Sequence, residues 1–176
     1  MKKIILMIAL AIGVSSLAFA QNGWSKEKEK DVVDLAISSE IHTTLVAAVK
    51  AAGLLETLKG EGPFTIFAPT NAAFEKLPEG TVATLLKPEN KETLTGILTY
   101  HVIAGSLDSK AVMGAIKKGK GKVVVETLNG GKLTAMIKDG NVVLQDENGN
   151  IATVTTVDLK GSNGVIHAID TVVLPK

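Results

Sequence analysis

The spacing of the apolar residues changes near residue 119, and that change limits the folds open to this chain. Before it, apolar residues recur every three or four positions, as in Ile41, Leu45, Val49 and Ala52, which is the spacing of one helix face. After it, short β-branched runs alternate with Asn-Gly and Asp-Gly turn sequences, which are typical of β-hairpins. Helices followed by hairpins predict an α+β fold with an antiparallel sheet or a small sandwich. The strands predicted in the second part are 123–125, 133–137, 142–144, 151–157 and 165–173.

The helical part of the chain also contains two predicted strands. Residues 64–68 form a buried run between two prolines, and residues 100–104 form a shorter one. Thr70 has the side chain of a helix N-cap, with Phe74 on the inward face of the short helix that follows. Asp108 is predicted to cap a later helix in the same way. The other predicted helices lie within residues 31–60 and at 78–86 and 89–98.

The last predicted strand, residues 165–173, is apolar on both of its faces. Such a strand is covered on both sides, which places it at the centre of the sheet. His167 and Asp170 are polar residues within it, and each needs a hydrogen-bond partner where it is buried. We expect Asp170 to accept hydrogen bonds from a neighbouring loop.

The beginning of the chain has the features of an export signal. Two lysines precede an apolar run at 4–14, and small residues occupy the two positions that signal peptidase reads, the second being Ala20. The apolar run is shorter than the about 20 residues that span a bilayer, so a retained membrane anchor is the less favoured alternative. We therefore expect a periplasmic or secreted protein that has no membrane span after cleavage. The predicted parts are a signal peptide at 1–20, a polar lead-in at 21–30 and one domain at 31–176.

Composition narrows the classes of function. The chain has no cysteine and no arginine, and aromatic residues make up 3% of it. Without cysteine, no disulfide framework holds the fold together. Arginine grips phosphate and guanine with two hydrogen bonds, and aromatic rings stack on the bases of single strands. The lack of arginine, the scarcity of rings and a formal net charge of +1 argue against nucleic acid as a partner.

Three segments resemble the signature sequences of fasciclin-like domains. Residues 65–74 (TIFAPTNAAF) are similar to the first signature, residues 163–170 (NGVIHAID) to the second, and residues 98–103 (LTYHVI) to the tyrosine-histidine motif between them. The resemblance covers residues 31–176, and the chain is identified as a bacterial, secreted, single-domain member of the fasciclin-like (fasciclin I type) adhesion family. The resemblance implies a wedge-shaped antiparallel β-sandwich with helices packed on one side, and a non-catalytic role in adhesion.

The resemblance also indicates which motif residues bind a partner in the family and which hold the fold. In animal matrix members, an Asp-Ile pair just before the second signature is linked to integrin binding. This chain keeps an acidic-apolar pair, Asp158 and Leu159, there in a different setting. The short export signal and the single copy of the domain indicate a bacterial protein, for which no integrin partner is expected. The signature residues expected to be structural are Thr70, Asn71, Phe74, Asn163, His167 and Asp170.

The residue types that usually carry catalysis do not form a recognisable pattern. His42, His101 and His167 lack neighbours at the spacing of zinc ligands, so we interpret them as hydrogen-bonded core histidines. No serine lies in a G-x-S-x-G elbow, and cysteine is absent. The sequence therefore predicts no catalytic residue, no metal site and no cofactor.

A run of glycines and lysines after the first part has two readings. Residues 114–120 match the letters of a phosphate-binding loop, but Gly121 stands where Ser or Thr would hold magnesium. We therefore regard the match as chance. The four lysines of 117–122 form either a solvated loop or a patch for anionic polysaccharide or phospholipid head groups.

Three functions remain open at this point, and a hydrolase is the least favoured of them. The first is adhesion, as a monomer, to an envelope or extracellular protein or polysaccharide. Its candidate partner-binding residues are Tyr100, His101 and Asp108. Tyrosine is enriched at interfaces, and either Tyr100 or His101 is expected to be exposed because the two alternate along a strand. The second is a carrier of an apolar small molecule, with Met113 and Met136 lining an adaptable cavity.

Overall fold

The computed structural model describes residues 29–176, in which seven α-helices and seven β-strands follow one another. The predicted signal peptide and most of the lead-in lie outside the described residues. No helix of the described part is long and apolar enough to cross a membrane. The helices are α1 (Val32–Ile37), α2 (Thr43–Ala52), α3 (Leu55–Lys59), α4 (Asn71–Glu75), α5 (Thr81–Leu85), α6 (Lys91–Tyr100) and α7 (Ser109–Lys118). The strands are β1 (Phe64–Pro69), β2 (Val102–Ala104), β3 (Lys122–Glu126), β4 (Lys132–Lys138), β5 (Asn141–Gln145), β6 (Ile151–Gly161) and β7 (Gly164–Ile169).

Local sequence explains where two of the helices begin. The Thr70 side chain accepts a hydrogen bond from the Ala73 amide at 3.3 Å at the start of α4. The Asp108 side chain accepts one from the Ala111 amide at 2.7 Å at the start of α7. Each bond satisfies an amide that has no partner within its helix. Both caps expected from the sequence are present.

The strands form one sheet in the order β2–β1–β7–β6–β5–β4–β3. The α+β class is confirmed, with most helices before the hairpins. Neighbouring strands are antiparallel except β1 and β7, which run parallel from Phe64 beside Gly164 to Pro69 beside Ile169. The expected wholly antiparallel sheet is therefore wrong at this pair. Parallel neighbours need a long crossover connection, and here all the elements from α4 to β6 supply it.

The strand expected at the centre of the sheet is there, but it is shorter than predicted. Strand β7 lies between β1 and β6, and its residues from Val165 to Ile169 are buried. It ends at Ile169 rather than at residue 173. The reason is that the Thr153 amide donates to the Asp170 carboxylate at 2.8 Å, so a side chain replaces the backbone acceptor that would continue the ladder.

Strands β1 and β7 separate two cores because their side chains alternate between the two faces. One face packs against the helices and the other against β4, β5, β6 and α7. We call these the helix-side core and the sandwich-side core. The helix-side core includes Val32, Val33, Leu45, Ala48, Val49, Ile66, Ala68, Leu94, Leu98 and Ile166. The sandwich-side core includes Phe67, Tyr100, Ile103, Val112, Ile116, Leu133, Ala135, Leu144, Ala152, Ile169 and Val173.

The sheet folds back on itself at the long strand β6, and this forms the sandwich. Pairing of β6 with β7 shifts in register between Val154 and Thr156 and again before Leu159, and such bulges bend a strand. The fold brings the two ends of the sheet together, since the Leu128 amide after β3 donates to the Val102 carbonyl of β2 at 2.8 Å. Residues of β2 and β4 consequently meet in the sandwich-side core.

Two local expectations are wrong. Tyr100 is the last residue of α6 and not the first residue of a strand, because the apolar pair Leu94 and Leu98 extends the helical face to that point. Ile41 is 50% exposed, since it lies in a 3-10 turn at Glu40–His42 whose tighter pitch moves it off the buried face of α2.

Candidate functional site

Asn163 of the second signature connects four segments of the chain. Its Oδ1 accepts a hydrogen bond from the Val32 amide at 3.0 Å. Its Nδ2 donates to the carbonyls of Leu58 at 2.8 Å and Gly60 at 3.0 Å. Its own carbonyl accepts from the Phe64 amide at 3.0 Å. The residue thereby ties α1, the end of α3 and the start of β1 to the turn before β7, which is a structural role.

Asn71 of the first signature makes a similar connection. Its Oδ1 accepts hydrogen bonds from the Thr44 amide at 3.0 Å and the Thr43 hydroxyl at 3.2 Å, and its Nδ2 donates to the Glu40 carbonyl at 3.0 Å. It therefore holds α4 against the beginning of α2. Phe74, one turn later, is 9% exposed and packs in the helix-side core.

Tyr100 is fully buried, so its expected exposure to a partner is wrong. Its hydroxyl donates to the Lys132 carbonyl at 2.7 Å and accepts from the Glu147 amide at 3.3 Å. Burial raises the pKa of this phenol, and the hydrogen bond from Glu147 partly opposes the rise. A Cβ on Gly131 would lie 2.6 Å from the ring, so only glycine fits beside it. Tyr100 anchors α6 to the hairpins.

His101 is also inaccessible, with 2% of its surface exposed. Its Nδ1 lies 2.8 Å from the Ile97 carbonyl and its Nε2 lies 3.3 Å from the Val173 amide. These partners fit a neutral ring in which Nδ1 carries the proton and Nε2 accepts. Burial lowers the pKa of His101 to about 4, with the Ile97 carbonyl opposing the shift. The expected exposure of His101 to a partner is therefore wrong, because His101 is buried as Tyr100 is.

His167 joins the sheet to the segment that leads into α7. Its Nε2 lies 2.7 Å from the Leu107 carbonyl, and its Nδ1 accepts from the Asp158 amide at 3.3 Å. The ring stacks on Phe67 with centroids 5.6 Å apart. Both ring nitrogens and one ring face are thus engaged within the sandwich.

Asp158 is a structural residue that sequence reasoning treated only as the counterpart of an adhesion motif. It lies at a register shift of β6 with a φ of 60°. Its carboxylate accepts hydrogen bonds from the Ser109 amide at 2.7 Å and the Ser109 hydroxyl at 2.5 Å. These bonds hold the pKa of Asp158 below its usual value. A carboxylate there also complements the helix dipole at the start of α7.

Asp170 accepts hydrogen bonds from strand β6 and also from Lys76 in the turn after α4, so the expected bond from a neighbouring loop is present beside one from a strand. Its Oδ1 accepts from the Thr153 amide of β6 at 2.8 Å and the Thr171 hydroxyl at 3.0 Å. Its Oδ2 lies 3.2 Å from the Lys76 ammonium. Burial acts to raise the pKa of Asp170, but the hydrogen bonds and the lysine outweigh it, so the pKa lies below its usual value.

The three histidines serve separate parts of the fold. His42 is buried at the start of α2, with its Nδ1 2.8 Å from the Ser39 hydroxyl. Burial lowers the pKa of His42, and the Ala68 backbone partly opposes this. The partners of His101 and His167 are different residues in each case. Within residues 29–176, no three His, Cys, Asp or Glu side chains gather in a way that could hold a metal ion.

The glycine- and lysine-rich run forms a helix end and not a phosphate loop. Helix α7 ends at Lys118, where the Gly119 and Gly121 amides donate to the Ala115 and Ile116 carbonyls, both at 2.9 Å. A helix C-terminus carries the negative end of the helix dipole, whereas phosphate loops use an N-terminus. The four lysines around this helix end are exposed.

An open groove of about 700 Å³ lies at the end of the sheet where β1 and β7 begin. Of the residues singled out from the sequence, Asp108 and Asn163 reach this groove, whereas Tyr100 and His101 do not. Asp108 lies at its edge with one carboxylate oxygen engaged as a helix cap. The other residues of the groove come from 59–63, from Ser106 and from 160–165.

The floor of the groove is fixed backbone. A side chain on Gly62 would clash with the Asn163 carbonyl, and one on Gly164 would clash with the backbone of Phe64. Glycine is therefore needed where these two segments cross. Above this floor, Lys59, Glu61, Lys160 and Ser162 are exposed, so the rim carries both charges and a hydroxyl.

The methionines expected to line an apolar cavity do not do so. Met113 is 40% exposed on α7. Met136 follows Ala135, which faces the sandwich-side core, so its side chain lies on the opposite face of β4. The prediction was wrong because the number of methionines does not show whether each side chain points to the core or to the surface.

Comparison with known proteins agrees with this architecture. The family model of the fasciclin domain matches residues 40–175. Protein sll1483 of Synechocystis sp. is 51% identical over 144 residues, which cover 82% of this chain and 73% of that protein. Immunogenic protein MPB70 of Mycobacterium bovis is 36% identical over 152 residues, 83% of this chain and 70% of that one.

Longer proteins and a solved structure match as well. Transforming growth factor-beta-induced protein ig-h3 of Sus scrofa is 39% identical over 144 residues, although these cover 19% of its length. A FAS1 domain pair from the insect cell adhesion molecule Fasciclin I superposes with a TM-score of 0.73 at 19% identity, covering 82% of this chain and 51% of that one. At this identity the structural likeness shows the fold alone.

Proposed function

Because the chain belongs to the fasciclin domain family, we propose that it is a non-catalytic interaction module that acts outside the cytoplasm and binds an envelope or extracellular protein or polysaccharide. The observation that carries the proposal is the open groove at the start of β1 and β7, which is wide, lined by both polar and apolar surface, and built on a rigid floor.

The chemistry of the groove suits a chain with hydroxyl or mixed charged groups. Lys160 offers an ammonium donor and Glu61 a carboxylate acceptor on the rim, and the Lys59 ammonium, which is paired with Asp34 at 3.3 Å, has further N–H groups. Each exposed ionic contact contributes little, about 0–1 kcal/mol, so affinity requires several contacts along the groove. A rigid floor reduces the entropy lost on binding, because the backbone is already ordered.

The polar side chains at the groove are not arranged for catalysis, which favours a binding role. Asp108 caps α7 and the Asn163 side chain is occupied by three hydrogen bonds to the backbone. Ser106 and Ser162 line the groove without a histidine among the residues that share it. A nucleophilic serine needs an adjacent base within hydrogen-bond reach.

Export of the protein is tested by intact mass measurement of the chain recovered from the periplasm and the medium. We expect a mass that corresponds to cleavage after Ala20. Full-length protein confined to the cytoplasm would rule out a function outside it.

Binding in the groove is tested by cross-linking in living cells, with a matched pair of variants. Lys160→Glu reverses a charge on the rim, and Lys118→Glu makes the same change at the exposed end of α7 outside the groove. Cross-linked partners are identified and quantified by mass spectrometry for both variants and for the unmodified protein.

We expect Lys160→Glu to reduce the recovered partner several-fold and Lys118→Glu to leave it unchanged. Equal recovery with both variants would remove the groove as the binding site. A Tyr100→Ala variant is unsuitable for this purpose, because Tyr100 is buried and its loss would disturb the fold.

A further inference from the structure

A cavity of about 190 Å³ lies between the two halves of the sandwich, beneath α7. Every residue that lines it is apolar, and the lining comes from α7 and from strands at both ends of the folded sheet. Protein interiors are normally packed as densely as organic crystals, with few voids larger than a water molecule. The residues that decide its shape are Phe67, Ile103, Val112, Ala115, Val125 and Ala135.

Two small side chains account for the space. Ala115 on α7 and Ala135 on β4 both line the cavity, from different elements. A larger aliphatic residue at either position would occupy part of the volume. The cavity therefore follows from the choice of alanine where the sandwich could hold a longer side chain.

A frame of hydrogen bonds keeps α7 from settling into the space. The Thr65 hydroxyl donates to the Gly105 carbonyl at 2.6 Å and accepts from the Leu107 amide at 2.8 Å. His167 holds the Leu107 carbonyl, and Asp158 holds both the amide and the hydroxyl of Ser109. The segment before α7 and its first residue are thus fixed to β1, β6 and β7, so the helix cannot move inward without breaking these bonds.

The cavity adjoins a groove of about 540 Å³ at the place where the two ends of the sheet meet. Ile103, Leu107 and Val125 line both spaces, so they form the boundary between them. The outer part of the groove is polar as well as apolar, with the exposed Glu126 near Leu128, which is 41% exposed. A ligand can therefore have an apolar end inside and a polar end outside.

We propose that this cavity is a binding site for a small hydrocarbon group, about the size of a substituted benzene ring, at the end of an amphiphile whose polar head lies in the adjoining groove. An apolar cavity of about 150 Å³ in another protein stays dry and binds benzene, so this volume is sufficient. A bound hydrocarbon regains the dispersion contacts that the lining lacks while the cavity is empty. The site goes beyond the proposed interaction function and does not depend on it.

The test adds benzene and p-xylene as probes to the purified protein and follows binding by thermal unfolding and by methyl NMR. Each probe is expected to raise the Tm in a saturable manner, because a ligand that binds the folded state alone stabilises it. Methyl signals of Ile103, Val112 and Val125 are expected to shift, while those of Leu45 and Val49 in the helix-side core stay in place.

A matched pair of variants on α7 distinguishes probe binding in the cavity from probe binding at the surface. Ala115→Leu adds a side chain that projects into the cavity, and Ala111→Leu makes the same change at an exposed position of the same helix. We expect Ala115→Leu to abolish the probe-dependent rise in Tm and Ala111→Leu to retain it. If Ala115→Leu does not fold, Ala135→Val reduces the same volume from the sheet side.

Three results would overturn the proposal. The first is no saturable change in Tm or methyl shifts up to the solubility of the probes. The second is an undiminished response in the folded cavity-filling variant. The third is a set of methyl shifts confined to the helix-side core, which would place the probe elsewhere.

Discussion

The two cores on either side of β1 and β7 are filled to different degrees. On the helix side, the side chains of α1, α2 and α6 leave a gap of only about 40 Å³. On the sandwich side, a cavity of about 190 Å³ remains. The same two strands contribute to both cores, so the difference lies in what covers them. It indicates that the helix side is filled more completely, whereas the sandwich side keeps a space that a ligand can use.

The largest expected effect tests the helix side. Leu94 on α6 is 3% exposed in that core. We expect Leu94→Ala to lower the free energy of unfolding by about 2–5 kcal/mol, because the packed surroundings cannot close the space. Urea denaturation measures it. A loss below about 1 kcal/mol would show that the helix-side core closes around the missing side chain and is not tightly packed there.

A second prediction concerns acid, and it also acts at the helix side, where His101 lines the small gap. Its pKa in the folded protein is about 4, below the ordinary value of about 6.5 expected for the unfolded chain. Protonation therefore favours unfolding. The stability is fully present above about pH 6.5 and is lost as the pH falls towards 4, by at most about 3 kcal/mol.

The measurement is urea denaturation between pH 7.5 and pH 4, compared with His101→Gln, which does not titrate. We expect a shallower pH dependence in the variant, with a remaining slope from His42, whose pKa is also lowered by burial. Identical slopes for both proteins would contradict the assignment of the effect to His101.

A third prediction concerns the bond that ends β7. Asp170→Ala leaves the Thr153 amide without its acceptor, and we expect a loss of about 1–3 kcal/mol. Asp170→Asn keeps an acceptor oxygen and removes the charge beside Lys76, so it should lose about 1 kcal/mol or less. Thermal and urea unfolding compare the two, and an unchanged melting curve for Asp170→Ala would defeat the structural role.

The prediction with the smallest expected effect compares the two cores directly, by replacing one buried valine in each core with alanine. Val49 in the helix-side core is 8% exposed and Val112 beside the cavity is 7% exposed. Val112 lines the cavity of about 190 Å³, whereas Val49 lines only the gap of about 40 Å³, so Val112 lacks more of its contacts. Val112→Ala should therefore lose about 1 kcal/mol or less, and Val49→Ala should lose more. Equal losses in urea unfolding would show that the cavity does not weaken its lining.

Local sequence signals predicted much of the fold. The α+β class, the caps at Thr70 and Asp108 and the central position of β7 all follow from patterns within a few residues of one another. The parallel pairing of β1 with β7 does not, because nothing in either strand encodes the direction of a partner so far along the chain.

The candidate site was harder to predict, for the same reason. Tyr100 and His101 are buried because hairpins from a later part of the chain cover them, and their own sequence is equally compatible with exposure. The role of Asp158 depends on a bulge that aims it at Ser109. The cavity is lined by both Ala115 and Ala135, and neither alanine predicts it from the sequence alone.

The parallel pair also determines when the domain can complete its folding. Strand β7 lies at the centre of the sheet but near the end of the chain, and it pairs with β1 along its full length. Contacts so distant in sequence are stabilising only after the intervening loop has closed, which slows folding. A growing chain therefore remains without its central strand until nearly all of it is available.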